Sequence, residues 1–188
     1  MAVVLSQSLS NFWDLYNLRH LVRRWCATTH TFFFSCGELT VTFEDVANQL
    51  LLPIFGYVDP ATIELSPKEE AIEVELKKRT TGTAKLSYWV SSSSKFSVVA
   101  RCAAFVAFWL CKFVFGSHPH YAIKPLYFHL AIKISTGVSL PLAPMFLGHM
   151  YVQLDILRSD ESSAGSCHIV TSSVHSNILQ QLLFKRCA

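Results

Sequence analysis

The chain has 188 residues, 51% of them hydrophobic and 15% charged, with 16 Lys and Arg against 13 Asp and Glu for a formal net charge of +3. Globular chains carry about 25% charged residues, so this composition excludes disorder as the overall state, and the positive excess is too small to mark a polycation. At this length about 70% of the extended chain's surface can be buried, enough for one sizeable core and a single domain over residues 1–188.

In chain order, residues 11–25 place Leu15, Leu18, Leu21, Val22 and Trp25 at intervals of three and four, with Arg19, Arg23 and Arg24 elsewhere on the cylinder, which predicts an amphipathic helix. Two β-prone runs, 29–35 and 38–43, flank Cys36-Gly37 and predict a hairpin. With Phe34 opposite Leu39, its register puts His30, Phe32 and Phe34 on the face of Leu39, Val41 and Phe43. Thr42 is placed to cap a following helix reciprocally with Asp45; that helix carries Val46, Ala47, Leu50 and Leu51 until Pro53 and Gly56 stop it. Residues 58–94 read as a surface excursion. Its helix, from Pro67 to about Arg79, is capped by Ser66 with Glu69 and has its acids first and Lys77-Lys78-Arg79 last, the order that the helix dipole favours.

Residues 98–115 are apolar at sixteen of eighteen positions. Arg101 and Lys112 are the exceptions, and eleven residues place them within about 20° of each other on one stripe. The uninterrupted apolar run from Cys102 to Cys111 is half of the roughly 20 residues needed to span a bilayer, so the segment reads as the buried central helix of a core and not as a membrane span. Cys102, Phe105, Phe108, Trp109 and Phe113 are expected at its centre. Pro125 opens a helix to about Thr136 closed by Gly137, and Pro144 opens another in which Leu147, Met150, Tyr151, Leu154 and Leu157 share a face, ending near Ser159. Ser172 or Ser173 caps a terminal helix with Val174, Ile178, Leu179, Leu182 and Leu183 as its stripe. The fold class is mainly α with one β-hairpin, packed around the central helix.

Candidate chemistry is sparse. Cys26, His30 and Cys36 offer three soft ligands without a fourth at a recognisable spacing, and His118 and His120 flank Pro119 in a turn, so no metal site is assigned. Cys167 and His168 are sequence neighbours that project apart in an extended segment, and Glu44 and Asp45 serve a helix start. The G-x-S-x-G elbow, phosphate-binding loop, G-x-G-x-x-G and H-E-x-x-H patterns are missing, so no catalytic or cofactor-binding residue and no cofactor is assigned. The six cysteines read as reduced thiols of an intracellular protein, since the first nine residues lack a basic segment and a long enough apolar run for a secretory signal. Two basic sets could touch phosphate, Arg19, Arg23 and Arg24 and Lys77, Lys78 and Arg79. Each is also an ordinary solvated helix face, and direct nucleic-acid binding through them would be weak.

Several blocks together resemble the plant mobile domain, the module of the MAIN-like (maintenance of meristems) family that plant transposable elements also carry and that is often labelled aminotransferase-like. They are Thr29-His30-Thr31-Phe32, Cys36-Gly37-Glu38, Thr40-Val41-Thr42, Glu44-Asp45-Val46, Leu52-Pro53, Trp109-Leu110, Phe113-Val114-Phe115, Pro141-Leu142-Ala143-Pro144, Leu147-Gly148, Tyr151 and Leu154-Asp155. The chain departs from the family's pattern at Cys26-Ala27-Thr28, where Arg-Pro-Glu is usual, and at Phe184-Lys185-Arg186-Cys187, where Trp-Glu-Arg-Phe is usual. Beginning just before the first shared helix and ending with the last, it reads as an isolated or truncated, transposon-derived copy. The resemblance implies a nuclear protein linked to meristem maintenance, genome stability and transposable-element silencing, with protein partners such as a protein phosphatase 7-like protein, and no defined reaction. An aminotransferase would need a Schiff-base lysine and a phosphate cradle; Lys112 lies at the edge of the central helix with no glycine-rich loop, so the label is a name only.

Overall fold

A computed structural model describes residues 15–80, 85–91, 95–116, 122–163 and Leu179. In order, its elements are α1 (Leu15–Arg24), β1 (Trp25–Cys26), β2 (Thr31–Phe34), β3 (Gly37–Leu39), α2 (Phe43–Leu50), α3 (Pro67–Lys78), α4 (Leu86–Ser91), α5 (Val98–Trp109), α6 (Phe128–Ser135) and α7 (Leu142–Ser163). A π-helical stretch, Leu110–Val114, continues α5, and 3-10 turns occupy Pro60–Thr62 and Pro125–Tyr127. The class is mainly α with one small antiparallel sheet, as the periodicity predicts, in the order β1-β2-β3. The chain divides into two compact units, one from residues 1–52 with 143–188 and one from residues 53–142.

In the first unit the hairpin register is two residues from the expected one. Phe34 faces Gly37, Phe33 faces Glu38 and Phe32 faces Leu39, leaving Ser35-Cys36 as a two-residue loop. Gly37 has φ 125°, a conformation that side chains resist, which fixes the loop here. A slip of two preserves the faces, so Phe32 and Val41 are still buried on the same side. Phe43 is not: the strand ends at Leu39, and Phe43 opens α2 with its ring 48% exposed. The first helix stops at Arg24, and Trp25, whose spacing put it on that helix's stripe, instead opens β1, a third strand too short for a periodicity to show, where it lies opposite Phe32.

The expected cap of α2 forms. The Thr42 N–H donates to Asp45 Oδ2 at 2.8 Å, and the Asp45 N–H donates to Thr42 Oγ1 at 3.4 Å. Leu51 ends the helix in the left-handed conformation, φ 54°, and is exposed where its spacing predicted a place in the apolar stripe. α7 buries Leu147, Met150, Leu154 and Leu157 of the expected face with Phe146 added, leaves Tyr151 half-buried, and runs on through Ser163. Of the terminal helix only Leu179 lies within the described residues; it is helical and fully buried.

The second unit is built on α5 and α6. Its buried stripe is small: Ala100, Ala103, Ala104 and Ala107 face inward, followed by Leu110, Cys111 and Val114. This corrects the expectation for the central helix. Of the five side chains expected at its centre only Trp109 is buried; Cys102 and Phe105 are exposed and Phe108 and Phe113 half-buried. Four alanines let the backbones of α5 and α6 approach closely, which bulky rings would prevent. The space around them is filled from other elements. Trp89 of α4 lies 5.0 Å from Phe96 and 5.9 Å from Phe128 between ring centroids, and its indole N–H donates to the Ala104 carbonyl at 2.9 Å. Arg101 and Lys112 reach solvent as predicted. Among the described residues no helix is long and apolar enough to cross a membrane.

The stretch expected to be a surface excursion supplies Leu76 and Trp89 to this interior. Its helix α3 is bound by carboxylates. The Ser66 N–H and hydroxyl both donate to Glu69 Oε2 at 2.8 Å, and Lys133 Nζ donates to the same oxygen at 2.7 Å. Glu73 takes Lys77 and His129, and Glu75 accepts the Ser97 N–H at 2.8 Å and its hydroxyl at 2.7 Å where α5 begins. The two ends of the unit are also tied. The Tyr57 N–H donates to the Ser139 carbonyl at 3.1 Å, and the Ser139 hydroxyl donates to the Phe55 carbonyl at 3.3 Å. A Cβ on Gly56 would fall 2.7 Å from the Pro141 nitrogen and 2.9 Å from the Leu140 carbonyl carbon, so only glycine fits between them.

Two predictions follow from this packing. Gly56→Ala should lower the unfolding free energy measured in urea by more than about 1 kcal/mol, because backbone must move, whereas Gly148→Ala, at an open helical position, should raise it by about 0.5 to 1 kcal/mol. Lys133 and the Ser66 N–H hold the Glu69 carboxyl down to about 2. A depressed carboxyl gives stability that is complete above its ordinary value near about 4.3 and is lost as pH falls toward the folded value. The urea midpoint should therefore drop between about pH 5 and about pH 2, and Glu69→Gln should flatten that slope and lower the midpoint at the upper end.

Candidate functional site

The densest polar and aromatic cluster among the described residues lies in the first unit, where β1, the following turn and the β3 exit meet α7. Trp25 is buried, and its Nε1–H donates to Asp155 Oδ1 at 2.7 Å. The other carboxylate oxygen of Asp155 lies 3.6 Å from His30 Nε2. His30 adopts φ 52°, held there as Thr40 Oγ1 donates to its carbonyl at 2.7 Å. Its ring stacks on Tyr151, 4.9 Å between centroids and 10° between planes. The Tyr151 hydroxyl donates to the Val41 carbonyl at 2.6 Å and lies 3.0 Å from Thr40 Oγ1. Trp25 completes the cluster, 5.3 Å from Tyr151 and 4.8 Å from Phe32.

Chemically this arrangement is a clasp. The imidazole meets an aromatic face and a carboxylate that already accepts from an indole, and among the described residues no thiol or hydroxyl side chain is hydrogen-bonded to it. The indole and phenol hydrogen bonds join residues 130 and 110 positions apart, fixing the sheet on α7.

The residues singled out by chemistry do not gather here. Cys26 sits opposite Thr31 at one end of β2 and Cys36 lies in the loop past Phe34 at the other, roughly 10 Å or more along the strand, too far to share an ion with His30. Among the described residues no group of three potential ligands could hold a metal. The Thr29 hydroxyl and the N–H groups of Thr29 and Thr28 hold the Cys26 thiol below its ordinary range, while burial pushes Cys111 up to about 11. Cys26, Cys36, Cys102 and Cys111 are all free thiols. His118, His120, Cys167 and His168 lie outside the described residues. Glu44 and Asp45 open α2, and Asp45 caps it.

The basic sets are largely engaged within the fold. Arg24 lies 5.2 Å over the Phe34 ring and donates to the Phe33 carbonyl at 3.3 Å. Lys77 pairs with Glu73 at 2.7 Å, and Arg79 lies 4.9 Å over Phe96 and donates to the Lys95 carbonyl. No reading of periodicity could have found the clasp, since its members have no common spacing. The spacing gave Trp25 and Tyr151 places on separate helix stripes and His30 a place on the hairpin face, and only the family-like blocks, which hold His30, Thr40, Tyr151 and Asp155, set most of them apart together.

The fold class is mainly α with a three-stranded antiparallel sheet, and in the first unit hydrogen bonds between widely separated residues clasp that sheet to α7. The profile of the plant mobile domain family matches residues 4–180, and the chain belongs to that family. The family is not known as a catalytic one. Searches of curated proteins and of solved structures find no significant match.

Tyr151→Phe should leave the Val41 carbonyl without its donor and cost about 1 to 2 kcal/mol in urea unfolding, and Asp155→Ala should cost about 1 to 3 kcal/mol by orphaning the buried indole N–H. A Tyr151→Phe protein with unchanged midpoint would show that the clasp contributes nothing.

Proposed function

We propose that the chain is a non-catalytic interaction module of the nucleus, acting in the genome regulation that the plant mobile domain family implies: meristem maintenance, genome stability and silencing of transposable elements. The observation that carries the reading is the fate of the family's residues. His30, Thr40, Tyr151 and Asp155, together with Trp25, hold the fold, and among the described residues no thiol or hydroxyl side chain is hydrogen-bonded to the imidazole. Residues used in this way leave function to surfaces and partners. A protein phosphatase 7-like protein is the partner class that the family suggests.

The test is a pull-down from plant nuclei with the full chain as bait, with and without nuclease. Retention of the same protein partners after nuclease supports the module; loss of all partners on nuclease treatment, or capture of none, overturns it. The rival is a cysteine enzyme, and it predicts one hyper-reactive thiol whose replacement abolishes a turnover. Thiol labelling read by peptide mapping should instead find Cys111 protected and the exposed Cys36 and Cys102 modified at ordinary rates.

Direct nucleic-acid binding, if measured, should be weak. With three phosphates neutralised, affinity should fall about fortyfold between roughly 50 and 200 mM salt, with little sequence preference. A salt-resistant, sequence-selective complex of this chain alone would contradict the reading.

A further inference from the structure

The inward face of α5 is made of alanines, and its outward face is apolar as well. Val98 is 80% exposed, Val99 68% and Phe105 58%, with Cys102 exposed between them. Val98, Cys102 and Phe105 follow one another at four and three residues, so they form a continuous stripe of about two turns. These side chains stand largely outside the packing of the described residues of the second unit. Such a patch on a folded surface marks a binding site more often than an accident of composition.

Charge selects the occupant. From Leu76 to Leu154 the sequence contains no Asp or Glu, while nine lysines and arginines fall in that stretch. Arg101 and Lys112 border the stripe on one side, roughly 15 Å apart along the helix, and Lys95 is exposed just before it. Arg101 has no carboxylate partner among the described residues, and Lys112 rests 5.2 Å and 5.6 Å from the ring centres of Phe113 and Phe108. A second copy of the same face would bring Arg101 and Lys112 against cations, while Glu75, which meets the start of the helix, is already engaged by the Ser97 N–H and hydroxyl. A bilayer-binding helix needs a longer apolar face than these two turns, which end where Trp109 is buried.

We propose that this face of α5 docks an acidic amphipathic segment of a partner protein, whose apolar side chains cover Val98, Cys102 and Phe105 and whose carboxylates meet Arg101 and Lys112. The proposal rests on the interaction-module reading and gives it a surface.

The probe is a fluorescein-labelled synthetic peptide with leucines at i, i+4 and i+7 and glutamates on the flanks, titrated with the full chain and read by anisotropy. Its controls are the same peptide with lysine for glutamate, and vesicles of phosphatidylcholine and phosphatidylserine. Saturable binding of the acidic peptide alone is expected, weakened about tenfold or more by Arg101→Glu or Phe105→Ser and retained by Phe105→Leu. Because these positions are exposed, circular dichroism and the urea midpoint should match the parent chain. Equal binding of the basic peptide, binding to vesicles in place of the peptide, no binding of either peptide, indifference to both variants, or dimerisation of the chain through this face would overturn the proposal. The nuclear pull-down separates the two levels. If Arg101→Glu keeps every partner of the parent chain, the surface is wrong and the module stands; if the parent chain captures nothing, the module reading fails and this surface with it.

Discussion

The hydrogen bond from the Trp25 indole to Asp155 spans 130 positions of sequence, and the first unit depends on it and on its neighbour from Tyr151 to Val41. Bringing such distant segments together has an entropic cost that grows with the logarithm of the loop closed. Here the intervening residues 53–142 form a compact unit of their own, and its two ends are tied at Phe55, Tyr57 and Ser139. With that tie made, the first unit closes a connection of a few residues in place of about 90, a saving of about 2 kcal/mol at 0.6 per doubling. The close approach at Gly56 thus shortens the connection that the clasp has to close.

Much of the fold is legible where local physics decides. Thr42 with Asp45 and Ser66 with Glu69 announce two helix starts because capping is a contact between residues three apart. The hairpin faces also survive, even though the register is two residues from the one expected, because side-chain direction depends only on parity. The register itself depends on the loop length. The positive φ of Gly37 places that residue in the first pair of the strand, where composition suggested the middle of a turn. The two-residue β1 had no pattern to read, since its place is set by pairing with Phe32.

The candidate site was less legible, and for a different reason. Trp25, His30, Thr40, Tyr151 and Asp155 have no shared periodicity, and tertiary structure alone brings them together. Reading by chemical type grouped Cys26, His30 and Cys36 as three soft ligands without a fourth and assigned no site to them; β2 holds the two thiols at opposite ends. Resemblance to a family identified most of the relevant positions without giving their task. The geometry supplies the task, which is to fix the sheet on α7.

The central helix shows what hydropathy cannot resolve. Apolar on all sides, residues 98–115 have no polarity stripe except that of Arg101 and Lys112, and the largest side chains were the natural choice for the interior. Volume carries the pattern instead: Ala100, Ala103, Ala104 and Ala107 recur at three and four and form the buried face. A helix amphipathic in size places its smallest residues where a neighbouring backbone must come close and leaves its larger ones outside. The two faces then answer to different constraints. A larger side chain at Ala104 would force the helices apart, whereas the composition at Val98, Cys102 and Phe105 is free of the core and is set by whatever the surface must contact. Exposed apolar groups that the fold does not need are maintained at a cost in solubility, so their presence beside Arg101 and Lys112, which have no carboxylate partner among the described residues, is an argument about partners and not about stability.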